Sequence, residues 1–358
     1  MNHPEERLFR LGLVLAAGGA RVRRLATEVP VGEPLLPALS SSGAPRAVLD
    51  TATKLADAEA KKVVDRITTA GWRWIVPGDE DWPGLLTANS DPPLGLFVRG
   101  LLEDRMTVAI VGSRKATPYG LQVARLLGEE LGRAGVIVVS GMARGVDEAA
   151  HRGALDAGGR SWAVWGTGPD RIYPSEHGKL ASELAQSGAL ITEYPPGTPP
   201  RRHHFPERNR ILAGLARAVV VVEAAARSGA LITARLAMEE GREVLAVPGN
   251  IFSELSVGPN TLLRVGARPL LTPRDLFDAI GCESGPAAVT RSGAALLSCV
   301  GAGEALTADE IADRAGSTVS QVLGELLALE LAGEIVHQSD GRYSRARPPL
   351  PGGGEPAG

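Results

Sequence analysis

Residues 201–210 read RRHHFPERNR, which sets Arg201, Arg202, Arg208 and Arg210 around one aromatic ring, Phe205. Guanidinium groups pair with phosphate oxygens in a bidentate fork, and an aromatic ring offers any base a face to stack on. Other segments carry related chemistry. GSRKATPYG (112–120) places Gly112, Ser113, Arg114, Lys115 and Thr117 ahead of an amphipathic stretch, the make-up of a phosphate site at a helix N-terminus. SGMARGVDEAAHRGAL (140–155) puts Arg144 between Gly141 and Gly145, and ARSGALITA (226–234) opens a helix with Arg227, Ser228 and Gly229. GTGPDRIYP (166–174) adds a further glycine and polar loop. The first of these loops matches neither the dinucleotide fingerprint nor a Walker loop. The agreement among separate loops is the signal.

Acid–base chemistry has weaker footing. Asp147 and His151 lie four apart and share a helix face. No nucleophile or metal ligand accompanies them, so the structural reading is preferred: Asp147 near the helix start and His151 bonded to a neighbouring loop. Glu193 and Glu223 could act on a ribose, as in a nucleotide or phosphoribosyl hydrolase, but neither shows the partners that a hydrolytic site requires.

The elements that position these loops follow from periodicity. From Met106, apolar runs (MTVAIV, VIVVS, SWAVWG, ALITEY, AVVVVEA, EVLAVPG) alternate with amphipathic stretches. Continuous Val/Ile-rich strands with helices between them predict an α/β domain over 86–280 with a mainly parallel sheet covered on both faces. Ligands of such sheets sit beyond the carboxyl ends of the strands, where the arginine and glycine loops fall.

Residues 1–85 read as a small helical domain broken at Pro30–Pro45. LGLVLAAGGA (11–20) has the look of a signal peptide, but Glu5 and Glu6 precede it and Arg21, Arg23 and Arg24 follow. It is also too short to span a bilayer, and a buried helix is expected. WRWIVPGDEDWPGLLTANSDPPLGLFVRG (72–100) is crowded with Pro, Gly and Asp and reads as an irregular connector. A linker over 281–293 leads to a winged-helix-like module over 294–345: Thr307 with Glu310 fits a capping box, a second helix follows, and a hairpin turns at Asp340–Gly341. This module carries eight acidic and three basic residues, a net of −5, and its second helix, VSQVLGELLALELAG, has no lysine or arginine. Because phosphate contacts dominate affinity for DNA, it is expected to contact protein or nothing. Residues 346–358 read as a disordered tail.

The net charge of −3 over 358 residues marks no global polyanion binder, so any basic surface must be local. Two cysteines, Cys282 and Cys299, lack zinc-site spacing with the six histidines. No metal or cofactor is expected, and a reduced, cytoplasmic setting is the simpler one.

VAIVGSRKATPYG, VVSGMARGVDEAAHRGAL, AVWGTGPDRIYP, ITEYPPGTPP, FPERNRILAGLARAVVVVEAAARSGALITARLA, GREVLAVPGN and GPNTLLRVGA, in this order, resemble the DNA-processing protein A (DprA, or Smf) family over most of residues 92–268. Two segments depart from the family pattern: WGTGPD, at Trp165 and Thr167, and GNIFSELSVGPN. The resemblance implies a non-enzymatic, sequence-neutral binder of single-stranded DNA. It also implies a Rossmann-like fold for the α/β domain, a homodimer through that domain, loading of RecA recombinase in natural transformation or homologous recombination, and no membrane association. The front domain would be sterile-alpha-motif-like. By similarity the DNA pocket would use Gly112, Ser113, Arg114, Gly141, Arg144, Gly145, Arg202 and Phe205. Lys115, Arg208, Asn209, Arg210, Ser228 and Gly229 join them from the reading of the same loops.

Overall fold

The computed structural model describes residues 4–16, 19–282, 296–301, 303–331, 334–338 and 340–346. The predicted linker and tail lie almost wholly outside these. Two compact units result, one up to Cys282 and one from Glu283.

The first unit opens with helices α1 (Pro4–Leu15), α2 (Gly19–Thr27), α3 (Leu35–Ser41), α4 (Arg46–Leu55) and α5 (Lys61–Thr69). The LGLVL run lies in α1, where Leu11 and Leu13 are fully buried. Nine strands follow: β1 (Arg73–Ile75), β2 (Leu96–Gly100), β3 (Thr107–Val111), β4 (Ile137–Ser140), β5 (Ser161–Val164), β6 (Ala189–Thr192), β7 (Ala218–Val221), β8 (Glu243–Ala246) and β9 (Arg268–Pro269). They form one sheet in the order β1-β2-β6-β5-β4-β3-β7-β8-β9. The seven strands from β6 to β9 pair in parallel, while β1–β2 and β2–β6 are antiparallel.

The expected connector is therefore corrected. Short α6 (Gly84–Thr87) interrupts it, and its two ends are sheet strands. Trp74, Ile75, Leu96, Phe97 and Val98 are buried, and β1 is only three residues long. Proline and glycine crowd the stretch between the two strands, where the chain turns, and of the two only β1 lies at the sheet edge. The boundary anticipated at residue 85 falls between two paired strands.

The central strands are buried on both faces, Val108–Ile110 and Val219–Val221 among them, because helices cover each side. These include α7 (Pro118–Arg133), α8 (Val146–Asp156), α9 (Gly178–Ser187), α10 (His204–Leu215) and α11 (Gly229–Glu239); α12 (Val257–Arg264) and α13 (Pro273–Ile280) end the unit. From β3 the chain builds outward through β4, β5 and β6, then returns to set β7 on the other side of β3. That reversal makes β3/β7 a topological switch point, where a crevice opens beyond the strand ends.

In the second unit, β10 (Ala305–Leu306), α14 (Ala308–Ala315), α15 (Val319–Leu331), β11 (Ile335–His337) and β12 (Tyr343–Arg345) give a helix–helix–hairpin arrangement with a three-stranded sheet. The Thr307–Glu310 capping box is present. Val322, Leu326 and Leu329 of α15 pack into the small core, whereas Val319, Leu323 and Leu327 form an exposed apolar stripe four residues apart.

Candidate nucleic-acid interface

A groove of about 940 Å³ occupies the β3/β7 switch point. Its lining combines Gly112, Ser113 and Arg114 after β3, Arg202, Phe205, Arg208 and Asn209 around the start of α10, and residues 225–233 with Arg235 after β7. A smaller cleft against Arg114 and Phe205 brings in Gly141 and Arg144 from the loop after β4. Loops far apart in sequence thus converge because parallel strands deliver all their C-terminal ends to one side.

Each loop is held by local bonds. Thr117 caps α7 by accepting from the Gly120 N–H at 3.2 Å. Its own N–H and hydroxyl donate to Glu223 at 2.8 and 2.6 Å, linking the first loop to the end of β7. The second loop is locked to the first at Gly145, whose φ of +80° suits glycine. A side-chain carbon there would meet the Ser113 carbonyl oxygen at 2.3 Å, and the next N–H, of Val146, donates to that oxygen at 3.2 Å. Asn209 donates to the Gly229 carbonyl at 3.1 Å, tying α10 to the loop after β7. There, Ser228 caps α11 by accepting from the Ala230 N–H.

Phe205 is half-buried at the groove wall. Tyr173 lies beside it, ring centroids 5.4 Å apart, and the Arg114 guanidinium carbon sits over its ring, 5.0 Å from the centroid. Arg202 is exposed at the rim. Arg144 is exposed and paired with Glu176. Lys115 is exposed beyond the groove lining.

Arg208 and Arg210 part company. Arg208 forms part of the groove floor: its guanidinium donates to the Val164 carbonyl, and burial pushes its pKa down to about 10 although Asp147 nearby opposes the shift. Arg210 points elsewhere, buried in ion pairs with Glu193 and with Asp91, the latter at 3.3 Å. Asp91 also pairs with Arg23 of α2 at 3.1 Å. The two arginines are two positions apart on a helix, so about 200° of rotation separates them.

A structural role for Asp147 and His151 fits their surroundings, although His151 bonds a strand residue and not the expected neighbouring loop. Asp147 accepts from the N–H groups of Gly141 and Ala143 at 3.0 and 3.3 Å, and burial raises its pKa against the pull of Arg208 and those bonds. His151 is fully buried, with Nδ1 2.7 Å from the hydroxyl of Ser161 in β5. Burial lowers its pKa to about 3, which keeps the ring neutral. Sequence reasoning passed over two lining residues, Tyr173 and Arg235. Tyr173 was legible as an aromatic in the loop after the third Val-rich run; Arg235 lies inside a helix, and nothing in its spacing marks it.

Comparisons with known proteins agree with this architecture. The family model described as DNA recombination-mediator protein A matches residues 73–281, and the DprA winged helix domain matches 283–341. Protein Smf of Escherichia coli is 42% identical over 291 residues, covering 76% of this chain and 77% of its own. A putative DNA processing protein DprA of Mycobacterium tuberculosis is 40% identical over 317 residues, covering 79% and 81%. DprA from Streptococcus pneumoniae superposes with a TM-score of 0.67 at 33% identity, over 78% of this chain and 98% of that one. DprA from Helicobacter pylori, solved to reveal its single-stranded DNA binding mode, gives 0.53 at 30% identity, over 58% and 94%.

Proposed function

The chain belongs to the DNA recombination-mediator protein A (DprA/Smf) family, and on that premise we propose that it binds single-stranded DNA without sequence preference and delivers it to RecA recombinase. The observation that carries this reading is the convergence of Arg114, Arg202, Arg208 and Phe205 on one groove. Arginines follow a phosphate backbone and a ring stacks any base, and neither contact encodes sequence. Gly112, Ser113, Gly141, Arg144, Gly145, Asn209, Ser228 and Gly229 complete or support the site.

The same reading makes the protein a cytoplasmic homodimer that joins through the first unit and acts in natural transformation or homologous recombination. Ile251 and Phe252 in the loop after β8, and Val265 and Leu271 on either side of the short edge strand β9 in the sequence, are strongly exposed apolar residues and support the dimer. No helix among the described residues is long and apolar enough to cross a membrane. The hydrolase reading is disfavoured because its two carboxylates are engaged: Glu193 with Arg210 and Glu223 with Thr117.

The test is fluorescence anisotropy with labelled oligo-dT and a matching duplex across a salt series. Wild type should prefer the single strand. Arg114→Ala and Arg202→Ala should flatten the salt slope, whereas Phe205→Ala should weaken binding with the slope intact. Equal affinity for duplex, or turnover of nucleoside monophosphates, would sink the reading.

A further inference from the structure

We infer that Arg114 covers the stacking face of Phe205 until a nucleotide arrives, when the base takes that face and the displaced guanidinium pairs with the adjoining phosphate. This rests on the single-strand reading above and adds a coupling to it: base and phosphate are recognised in one event.

The geometry separates a fixed partner from a movable one. The Phe205 ring is held at the groove wall, with Tyr173 5.4 Å away and Gly166 so close that a side-chain carbon there would lie 3.0 Å from the ring. Arg114, by contrast, is exposed on a long, flexible side chain, and no carboxylate pairs with it among the described residues. Beyond the longer-range pull of Asp147, its contact with the ring is the interaction that holds its position. An exposed cation–π contact shifts an equilibrium by only roughly two- to fivefold. A stacked base contributes at least as much, so exchange is feasible. Arg208 nearby cannot take over the role, being buried and bonded to the Val164 carbonyl.

A polyanion without bases has nothing to place on Phe205. To use Arg114 it must strip the guanidinium from the ring and leave the ring bare. The groove would thereby favour a strand with bases over a chain of phosphates of equal charge.

The experiment compares oligo-dT with an abasic oligomer of the same length and phosphate count, using the full-length protein. Phe205→Leu should weaken oligo-dT binding yet tighten the abasic oligomer by roughly two- to fivefold, because Arg114 is released. Arg114→Ala should weaken oligo-dT and leave the abasic oligomer within about twofold, since wild type keeps that arginine on the ring. This second variant removes an exposed side chain, so it keeps the test valid should Phe205→Leu disturb packing at Gly166. Abasic binding that is unchanged or weakened in a folded Phe205→Leu protein would overturn the coupling. So would an Arg114→Ala loss of equal size for both oligomers. Failure of wild type to bind oligo-dT would instead sink the single-strand reading itself.

Discussion

The carboxylate of Glu223, at the end of β7, accepts both the backbone N–H and the hydroxyl of Thr117, at the N-cap of α7. One buried side chain thus joins the two loops that flank the switch point, and Gly120 leaves room for it. Glu223, itself 4% exposed, is the acceptor for both donors of half-buried Thr117, and Glu223→Ala would leave them unpaired. The expected loss is about 2–3 kcal/mol in urea unfolding, with weaker oligo-dT binding. A variant as stable as wild type would refute this bridging role.

Arg202 and Arg210 lie in one motif and should behave oppositely. Removing Arg210 leaves Glu193 without its buried partner, while Asp91 keeps Arg23, for a destabilisation of about 3–5 kcal/mol. Arg202→Ala should leave stability within ~0.5 kcal/mol and lower the salt slope of single-strand binding by about 0.7. Paired denaturation and salt titrations decide the matter.

That contrast also measures what the sequence could disclose. The Val-rich runs of β3, β4 and β7 announced themselves because a buried parallel strand is apolar on both faces. The loops after them stood out by arginine and glycine. β1 and β2 were hidden because runs of three to five residues beside a proline-rich stretch give too little periodicity to distinguish a strand from a turn. Arg210 was assigned to the groove by motif membership, although helical phase alone would have turned it away from Arg208. The contact of Arg114 with Phe205 joins residues 91 positions apart, and no local pattern could have revealed it.

His151 predicts an acid limb in the stability profile. Its folded-state pKa, about 3, lies below the ordinary value near 6.5. The unfolded chain therefore binds more protons between those values, and stability rises with pH across that window. As pH falls below about 6.5 this contribution is progressively lost, by up to 1.4 kcal/mol per pH unit. His151→Asn should show a flatter decline in melting temperature between pH 6.5 and 4.5 than wild type. Parallel curves would refute the assignment.

Glu176 holds Arg144 in an ion pair, and on the single-strand reading a phosphate would compete for that arginine. Both residues are exposed, so the pair is easily exchanged. Glu176→Gln should tighten oligo-dT binding by about twofold and steepen the salt dependence, whereas Arg144→Ala should do the reverse. Anisotropy at low and moderate salt would distinguish these outcomes from no change.

The second unit should add nothing to DNA affinity. α15 exposes Val319, Leu323 and Leu327 and has no cation to offer a phosphate. A chain ending at Cys282 should match the full-length protein in oligo-dT affinity and salt slope, and the full chain should gain no duplex binding from the winged-helix unit. A substantial loss on truncation would reverse the expectation that this unit contacts protein or nothing.

The interlock of Gly145 with the Ser113 carbonyl has a genetic corollary. Any replacement side chain would push the second loop off the first and carry Arg144 and Arg114 with it, without itself meeting a strand. A screen for alleles defective in strand capture should therefore recover Gly145 beside Arg114, and second-site revertants should map to the backbone around Ser113 rather than to further arginines.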